Sequence, residues 1–204
     1  LPALSFGVEA AEGRRSLSSA DPDGTGRLLW RAVRVGLETW NGGGLNTWPE
    51  EGISLEARHG VDVLGGRHPA WSIEGGWIER LLRTERWGIV SSGGAAWSSP
   101  DLPVDLQARA GGPQGWVGQD PDAIIAPRLA WTRLALELNV RREIRLELAG
   151  AVGWAGQRRL NEQPPRPGVQ ARLIWESALG PIQLGWAGGR GSQPRLVLDV
   201  GNAF

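Results

Sequence analysis

The chain has 204 residues, with 22 basic and 22 acidic side chains, so it lacks the basic excess that a generic nucleic-acid binder needs for phosphate contacts. It has no Cys, which excludes disulfides, thiolate metal sites and cysteine nucleophiles. No window approaches the ~18 apolar residues of a membrane-spanning helix, but that test does not touch β-barrels, whose alternating strands hide their hydrophobicity from an average.

Taken in chain order, period two dominates over period 3.6. Leu4, Phe6, Val8 and Ala10 oppose Ser5, Gly7 and Glu9. Val33, Val35 and Leu37 oppose Arg34, Gly36 and Glu38. Ile53, Leu55, Ala57, Val61 and Val63 oppose Ser54, Glu56, Arg58 and Asp62. Trp71, Ile73 and Trp77 oppose Ser72, Glu74 and Arg80. Two less regular strands run from about Trp87 to Trp97 and from about Ile125 to Leu138. Ile144, Leu146, Leu148, Gly150, Val152 and Trp154 oppose Arg145, Glu147, Ala149, Ala151 and Gly153. Val169, Ala171, Leu173 and Trp175 oppose Gln170, Arg172, Ile174 and Glu176. Ile182, Leu184 and Trp186 oppose Gln183, Gly185 and Ala187. Leu196, Leu198, Val200 and Phe204 oppose Arg195, Val197, Asp199 and Gly201.

These ten strands predict an all-β chain. Many are longer than the ~5–6 residues usual in soluble sheets and match the ~9–11 needed to cross a bilayer at a tilt. Tight connectors are expected at Leu64–Pro69, Arg83–Arg86, Asn139–Arg141 and Ala178–Pro181. Long ones rich in Gly, Pro and Asp are expected at Gly13–Gly26, Asn41–Gly52, Pro100–Asp122, Gln157–Gly168 and Gly188–Pro194. Gathering long connectors at one end of an up-and-down sheet is the asymmetry of outer-membrane barrels.

One face of the clean strands is almost free of charge, with His59 the main exception. The other mixes small residues with acids and bases. A soluble barrel buries the apolar face, whereas a membrane barrel turns it outward and lines its lumen with the charges. Strand length, the Trp residues near strand ends (Trp40, Trp71, Trp87, Trp97, Trp154, Trp175 and Trp186) and the terminal alternating strand favour the membrane sense. The reading is therefore an antiparallel up-and-down transmembrane β-barrel of about ten strands, one domain over residues 1–204. Its expected lumen charges are Glu38, Glu56, Arg58, Arg133, Glu137, Arg145, Glu147, Arg172 and Glu176. Their balance of sign predicts salt-bridged packing of a narrow, plugged lumen rather than an open pore.

The stretch from Ala171 to Gly189, with Trp175, Glu176, Ser177, Leu179, Gly180, Pro181, Gly185 and Trp186, and the final segment Arg195–Phe204, with Gly201 and Phe204, resemble the last strands of the bacterial surface-antigen barrel. That barrel is shared by outer-membrane assembly factors, two-partner-secretion transporters and the C-terminal domain of patatin-like outer-membrane phospholipases. Leu37–Asn41 with Asn46–Gly52 is similar to the family's strand-exit segment, although Glu50 and Glu51 depart from its Thr-Arg pair. Gly111–Trp116 resembles the family's inward-folding loop, with Gly112, Gln114, Gly115 and Trp116 at its tip and Gln114 in the place of an Arg. The resemblance implies a membrane anchor, or a barrel that inserts or secretes polypeptides, in the outer membrane of a Gram-negative-type bacterium. Its partners would be the lipid bilayer, the barrel-assembly machinery, and an N-terminal domain or a secreted polypeptide. Full family barrels have more strands, so a shortened relative or part of a larger barrel is expected; the start at Leu1, without Met or a leader-like segment, suggests a mature product or excised domain. Leu196, Leu198, Val200 and Phe204 would form the assembly signal, read by β-augmentation if Phe204 is the terminus.

No catalytic signature stands out. There is no Gly-x-Ser-x-Gly, no phosphate loop and no His pair at metal spacing. His59 is the one candidate base for a lipid-face hydrolase, but the neighbouring Asp62 falls on the other face and no Ser partners it. His68 falls in a turn. Glu50–Glu51 and Asp120–Asp122 read as solvated loop acids rather than a cation site, and Gly42–Gly44 as a loop rather than a phosphate cradle. The expectation is no enzyme, no metal and no cofactor. A soluble β-barrel binding a small ligand inside and a passive porin-like channel are the alternative functions. The absence of Lys, Tyr and Met beside 12 Trp fits GC-rich coding better than a restricted design alphabet, and neither assigns a function.

Overall fold

A computed structural model of the chain describes residues 3–14, 27–41, 51–60, 70–99, 102, 107–112, 115–177 and 180–200. Ten long strands form one antiparallel sheet. They are β1 (Ala3–Arg14), β2 (Arg27–Asn41), β3 (Glu51–Gly60), β4 (Trp71–Arg83), β5 (Trp87–Ser98), β8 (Arg128–Arg141), β9 (Ile144–Gly156), β10 (Arg166–Ser177), β11 (Gly180–Gly189) and β12 (Ser192–Val200). Each pairs with its neighbours in sequence, and a two-stranded ribbon of β6 (Arg109–Ala110) and β7 (Ile124–Ile125) interrupts the meander between β5 and β8. Among the described residues, β1 and β12 are the end strands, each paired on one side.

The strands are long because β-branched, Leu and Trp side chains alternate with small or charged ones for ten or more residues without a break. The structure assigns the two faces in the inverted sense. Leu134, Leu148 and Leu196, at 55%, 59% and 80% exposed, stand on the outer surface with Leu136, Leu146, Val169, Leu184 and Leu198. Arg133, Glu147 and Arg172 are buried inside. The described core is not a layer of large aliphatics. It is built from Ala96, Ala135, Ala149, Ala151 and Ala155 on the inner wall, packed against Trp116 and Val117.

Six Trp residues fall in two rows. Trp71, Trp97, Trp154 and Trp186 lie toward one end of the sheet, and Trp87 and Trp175 toward the other. Trp87 and Trp97 lie ten residue steps apart along β5. At the usual strand rise and tilt this is about 25 Å of height, the thickness of the apolar band of outer-membrane barrels.

Three boundaries differ from the sequence expectation. The tight β8–β9 connector is Arg142–Glu143, because Asn139–Arg141 continue β8. Ile125 does not open a main-sheet strand. Pro127 cannot donate to a ladder, so β8 starts at Arg128 and Ile125 pairs with Arg109 in the small ribbon. Gly188–Pro194 is not a long connector: β11 runs to Gly189, β12 starts at Ser192, and Arg190–Gly191 is a tight turn whose Gly191 adopts φ 86°. The expected connectors Gly13–Gly26, Asn41–Gly52, Leu64–Pro69 and Ala178–Pro181 lie wholly or largely outside the described residues.

Candidate functional site: the occupied lumen

The inner face is a wall of small residues crossed by three clusters of charge. Register builds the central one. Glu147 on β9 stands directly opposite Arg172 on β10, and Arg133 on β8 is four residues along from Glu147's other partner, Glu137. Arg172 donates from Nε to Oε1 at 2.8 Å and from Nη2 to Oε2 at 2.7 Å, while Arg133 Nη2 reaches Oε1 at 2.6 Å. Gln170 donates to the same carboxylate, and Gln183 accepts from Arg172 Nη1 at 2.6 Å. One buried acid thus carries two buried bases, with amides taking part of the remaining hydrogen-bonding capacity.

The second cluster lies nearer the short-turn end. Arg80 on β4 reaches across β5 to Glu137 on β8 at 2.6 Å. The intervening position is Gly88, where a Cβ would lie 3.0 Å from Arg80 Nη1. Arg145 bridges Glu137 and Glu176 at 3.7 and 3.9 Å. The third cluster places Arg58 between Glu56 and Glu74 on β3 and β4. It borders an inner cavity of about 360 Å³ that Glu38 also lines. Among the described residues, all the expected lumen charges but Glu38 thus enter an ion pair in one of three clusters. The expected lumen charges leave out Glu74, Arg80, Gln170 and Gln183, which are members too. Arg80 sat on the charged face from the start, but only the register shows that it spans two strands.

The segment between β5 and β8 folds back over this wall. Gly112, Gly115 and Trp116 lie in it; Gln114 is outside the described residues. Trp116 is fully buried and its indole N–H donates to the carbonyl of Arg166 at 2.9 Å. Its ring takes the space above Gly153, where a Cβ would come within 2.6 Å. Val117 and Gly118 press backbone to backbone on Gly168 and Gly188, so closely that any Cβ on Gly168 would sit 1.9 Å from the Val117 carbonyl. Gln119 donates to Arg190 at 3.1 Å. Arg195 pairs with Asp120 and donates to the Gln119 carbonyl, and Ser192 donates to the Gly118 carbonyl. The segment is therefore bound to β9, β10 and the β11–β12 turn.

Of the remaining candidates, Leu196, Leu198 and Val200 are exposed on the outer face of β12, and Phe204 lies outside the described residues. His59 is exposed on β3, whereas Asp62, His68, Glu50 and Gly42–Gly44 lie outside the described residues. Asp122 is exposed in the interior segment's turn at φ 54°, and Asp120 is taken by Arg195. Among the described residues no group of three His, Cys, Asp or Glu is arranged to hold a metal.

No family model matches the sequence, and no curated protein matches it. Its fold does match solved structures. The crystal structure of BamA from Haemophilus ducreyi lacking POTRA domains 1-3 superposes with a TM-score of 0.65 at 12% identity. The chain shares the β-barrel fold of that BamA. The match covers 87% of this chain and 43% of that one, so the chain spans less than half the length of the BamA it resembles. The part of this chain that matches is an antiparallel up-and-down sheet with no helix among the described residues.

Proposed function

We infer that the chain is the barrel domain of an outer-membrane protein of surface-antigen type. It anchors a partner in the membrane or serves as a barrel for inserting or secreting polypeptides, in the outer membrane of a Gram-negative-type bacterium. The observation that carries this reading is the inverted alternation: a continuous Leu, Val and Trp surface outside, and paired charges inside a BamA-like sheet. A soluble ligand-binding barrel needs the opposite arrangement. A passive channel is disfavoured because Trp116, Val117 and the Arg133–Glu147–Arg172 cluster occupy the inside.

The chemistry of the site is structural rather than catalytic. Its groups bind one another, and no described hydroxyl or carboxylate is set against His59. The outer row Leu196, Leu198 and Val200 beside a strand edge that is unpaired among the described residues supports recognition by the barrel-assembly machinery through strand addition. The test is planar-bilayer recording of the purified chain. Insertion with little or no steady conductance is the expected result, and a stable pore of porin size overturns the occupied-lumen reading.

A further inference from the structure

The segment between β5 and β8 is held in the lumen along one flank. Trp116 donates to Arg166 on β10 and Gln119 to Arg190 in the β11–β12 turn, while Ser192 and Arg195 of β12 donate to the carbonyls of Gly118 and Gln119. Beside the other flank the lumen has room. Gly36, Ser54, Gly76 and Gly94, small residues of β2 to β5, line an inner cavity of about 360 Å³, and Ala108 and Arg109 of the segment border it.

The hold on the wall is of two kinds. Trp116 and Val117 are fully buried. The chain leaves that burial through Gly118, at φ 81°, a conformation that glycine adopts without steric cost. It then reaches Asp120, whose side chain is 63% exposed and pairs with Arg195, 23% exposed. An ion pair that water reaches is weak and is screened by salt. Arg195 carries this weak contact to the border of the sheet. It stands opposite Ala187 near the start of β12, and β12 is paired on one side only among the described residues. Ser192 and Arg195 thus bind the interior segment where a central strand would be held by a second neighbour. The segment and the start of the end strand share the contacts that open at least cost.

We propose that the Asp120–Arg195 pair is a latch that joins the interior segment to the end strand β12. When it opens, residues 118–122 move toward the cavity about the Trp116 anchor, and residues 192–196 loosen in the same step. The start of β12 is then presented to an added strand of another polypeptide. The coupling is reciprocal: a strand that draws Ser192 and Arg195 into a new pairing unseats the segment. The latch rests on the occupied-lumen reading above and adds to it a way of opening.

The test is amide hydrogen exchange of the full chain in phosphatidylcholine nanodiscs, read separately for residues 117–120 and 192–196. Asp120→Asn should speed exchange in both stretches by about two- to fivefold, the scale of a part-exposed ion pair. Sodium chloride at about 1 M, where the screening length is about 3 Å, should do the same to the parent chain and add nothing in Asp120→Asn. The salt arm needs no substitution, so a variant that folds poorly leaves the test intact. Faster exchange in one stretch without the other overturns the latch, as does an equal salt effect in parent and variant. The Trp116 and Val117 amides of the parent report the occupied lumen by themselves. Fast exchange there defeats that reading, whereas slow exchange there without a joint response of the two stretches defeats only the latch.

Discussion

Glu137 and Glu147 face each other directly across β8 and β9, on the inner face, and each turns to its own pair of arginines. Like charges in direct cross-strand register are destabilising. Here Arg80 and Arg145 take one carboxylate, and Arg133 and Arg172 take the other. The two sites differ in burial: Glu147 and its partners are nearly inaccessible, while the Glu137 side chain is 12% exposed and Arg145 33%.

Glu147→Gln should therefore cost far more than Glu137→Gln. The first strands two buried guanidinium groups, a loss of about 3–5 kcal/mol, whereas the second leaves bases that water reaches, a loss of about 1 kcal/mol. Urea unfolding in detergent micelles, followed by Trp fluorescence, measures both. Equal losses would show that the buried cluster has no special weight.

Period two alone makes β9, β10 and β11 legible, because Leu, Val, Ile and Trp keep one face for most of each strand. It was weaker where apolar residues ran together. Leu28, Leu29 and Trp30 hide the alternation, so the pattern shows only from Val33, and it is the end of the connector at Gly26 that marks the start of β2 at Arg27. Gly and Pro in Gly188–Pro194 suggested a loop because composition does not reveal that a two-residue turn suffices there. The charged face was readable, but not its pairing: whether Glu147 meets Arg172 depends on a register set by several strands at once. Trp116 could be marked only through the family resemblance. What places it is the absence of a side chain at Gly153, far away in sequence.

Gly153→Val should expel the Trp116 ring, since the new Cβ and methyls occupy its volume. The interior segment then loses its anchor on β9. Planar-bilayer conductance should rise above that of the parent chain, and cleavage by added protease between residues 107 and 127 should quicken. Unchanged conductance and cleavage would contradict an anchored plug.

On the outer face the cost of a charge should depend on depth. Leu134 stands about midway between the Trp97 and Trp87 rows, and Val140 lies beyond the Trp87 row near the β8–β9 turn. Leu134→Arg should destabilise the inserted state by about 2–4 kcal/mol, and Val140→Arg by about 0–1 kcal/mol. Folding titrations into phosphatidylcholine vesicles give both values. Equal costs, or none, would mean that this face does not meet hydrocarbon.

The β9–β10 connector carries a pH-sensitive contact. Backbone N–H groups of Arg158, Gln157 and Arg159 donate to the Glu162 carboxylate at 3.0, 2.8 and 2.9 Å, and hold its pKa below the ordinary 4.5. A lowered folded-state pKa stabilises the turn above the unfolded value, and that contribution is lost as pH falls through the lowered one. The amide chemical shifts of residues 157–159 should titrate together with a midpoint below 4.5, and should not titrate in Glu162→Gln. A midpoint at or above that value would remove the contact from the account.

The central claim is that the Leu, Val and Trp face of this sheet meets lipid. The most direct measurement dilutes the urea-unfolded chain into vesicles containing brominated phosphatidylcholine, and in parallel into lipid-free buffer. The predicted result is strand formation and protease protection in the vesicle sample alone, with strong bromine quenching of the fluorescence of the outward Trp residues, Trp71, Trp77, Trp87, Trp97, Trp175 and Trp186. A protease-resistant, monomeric fold in lipid-free buffer, with tryptophans that brominated lipid does not quench, would contradict it.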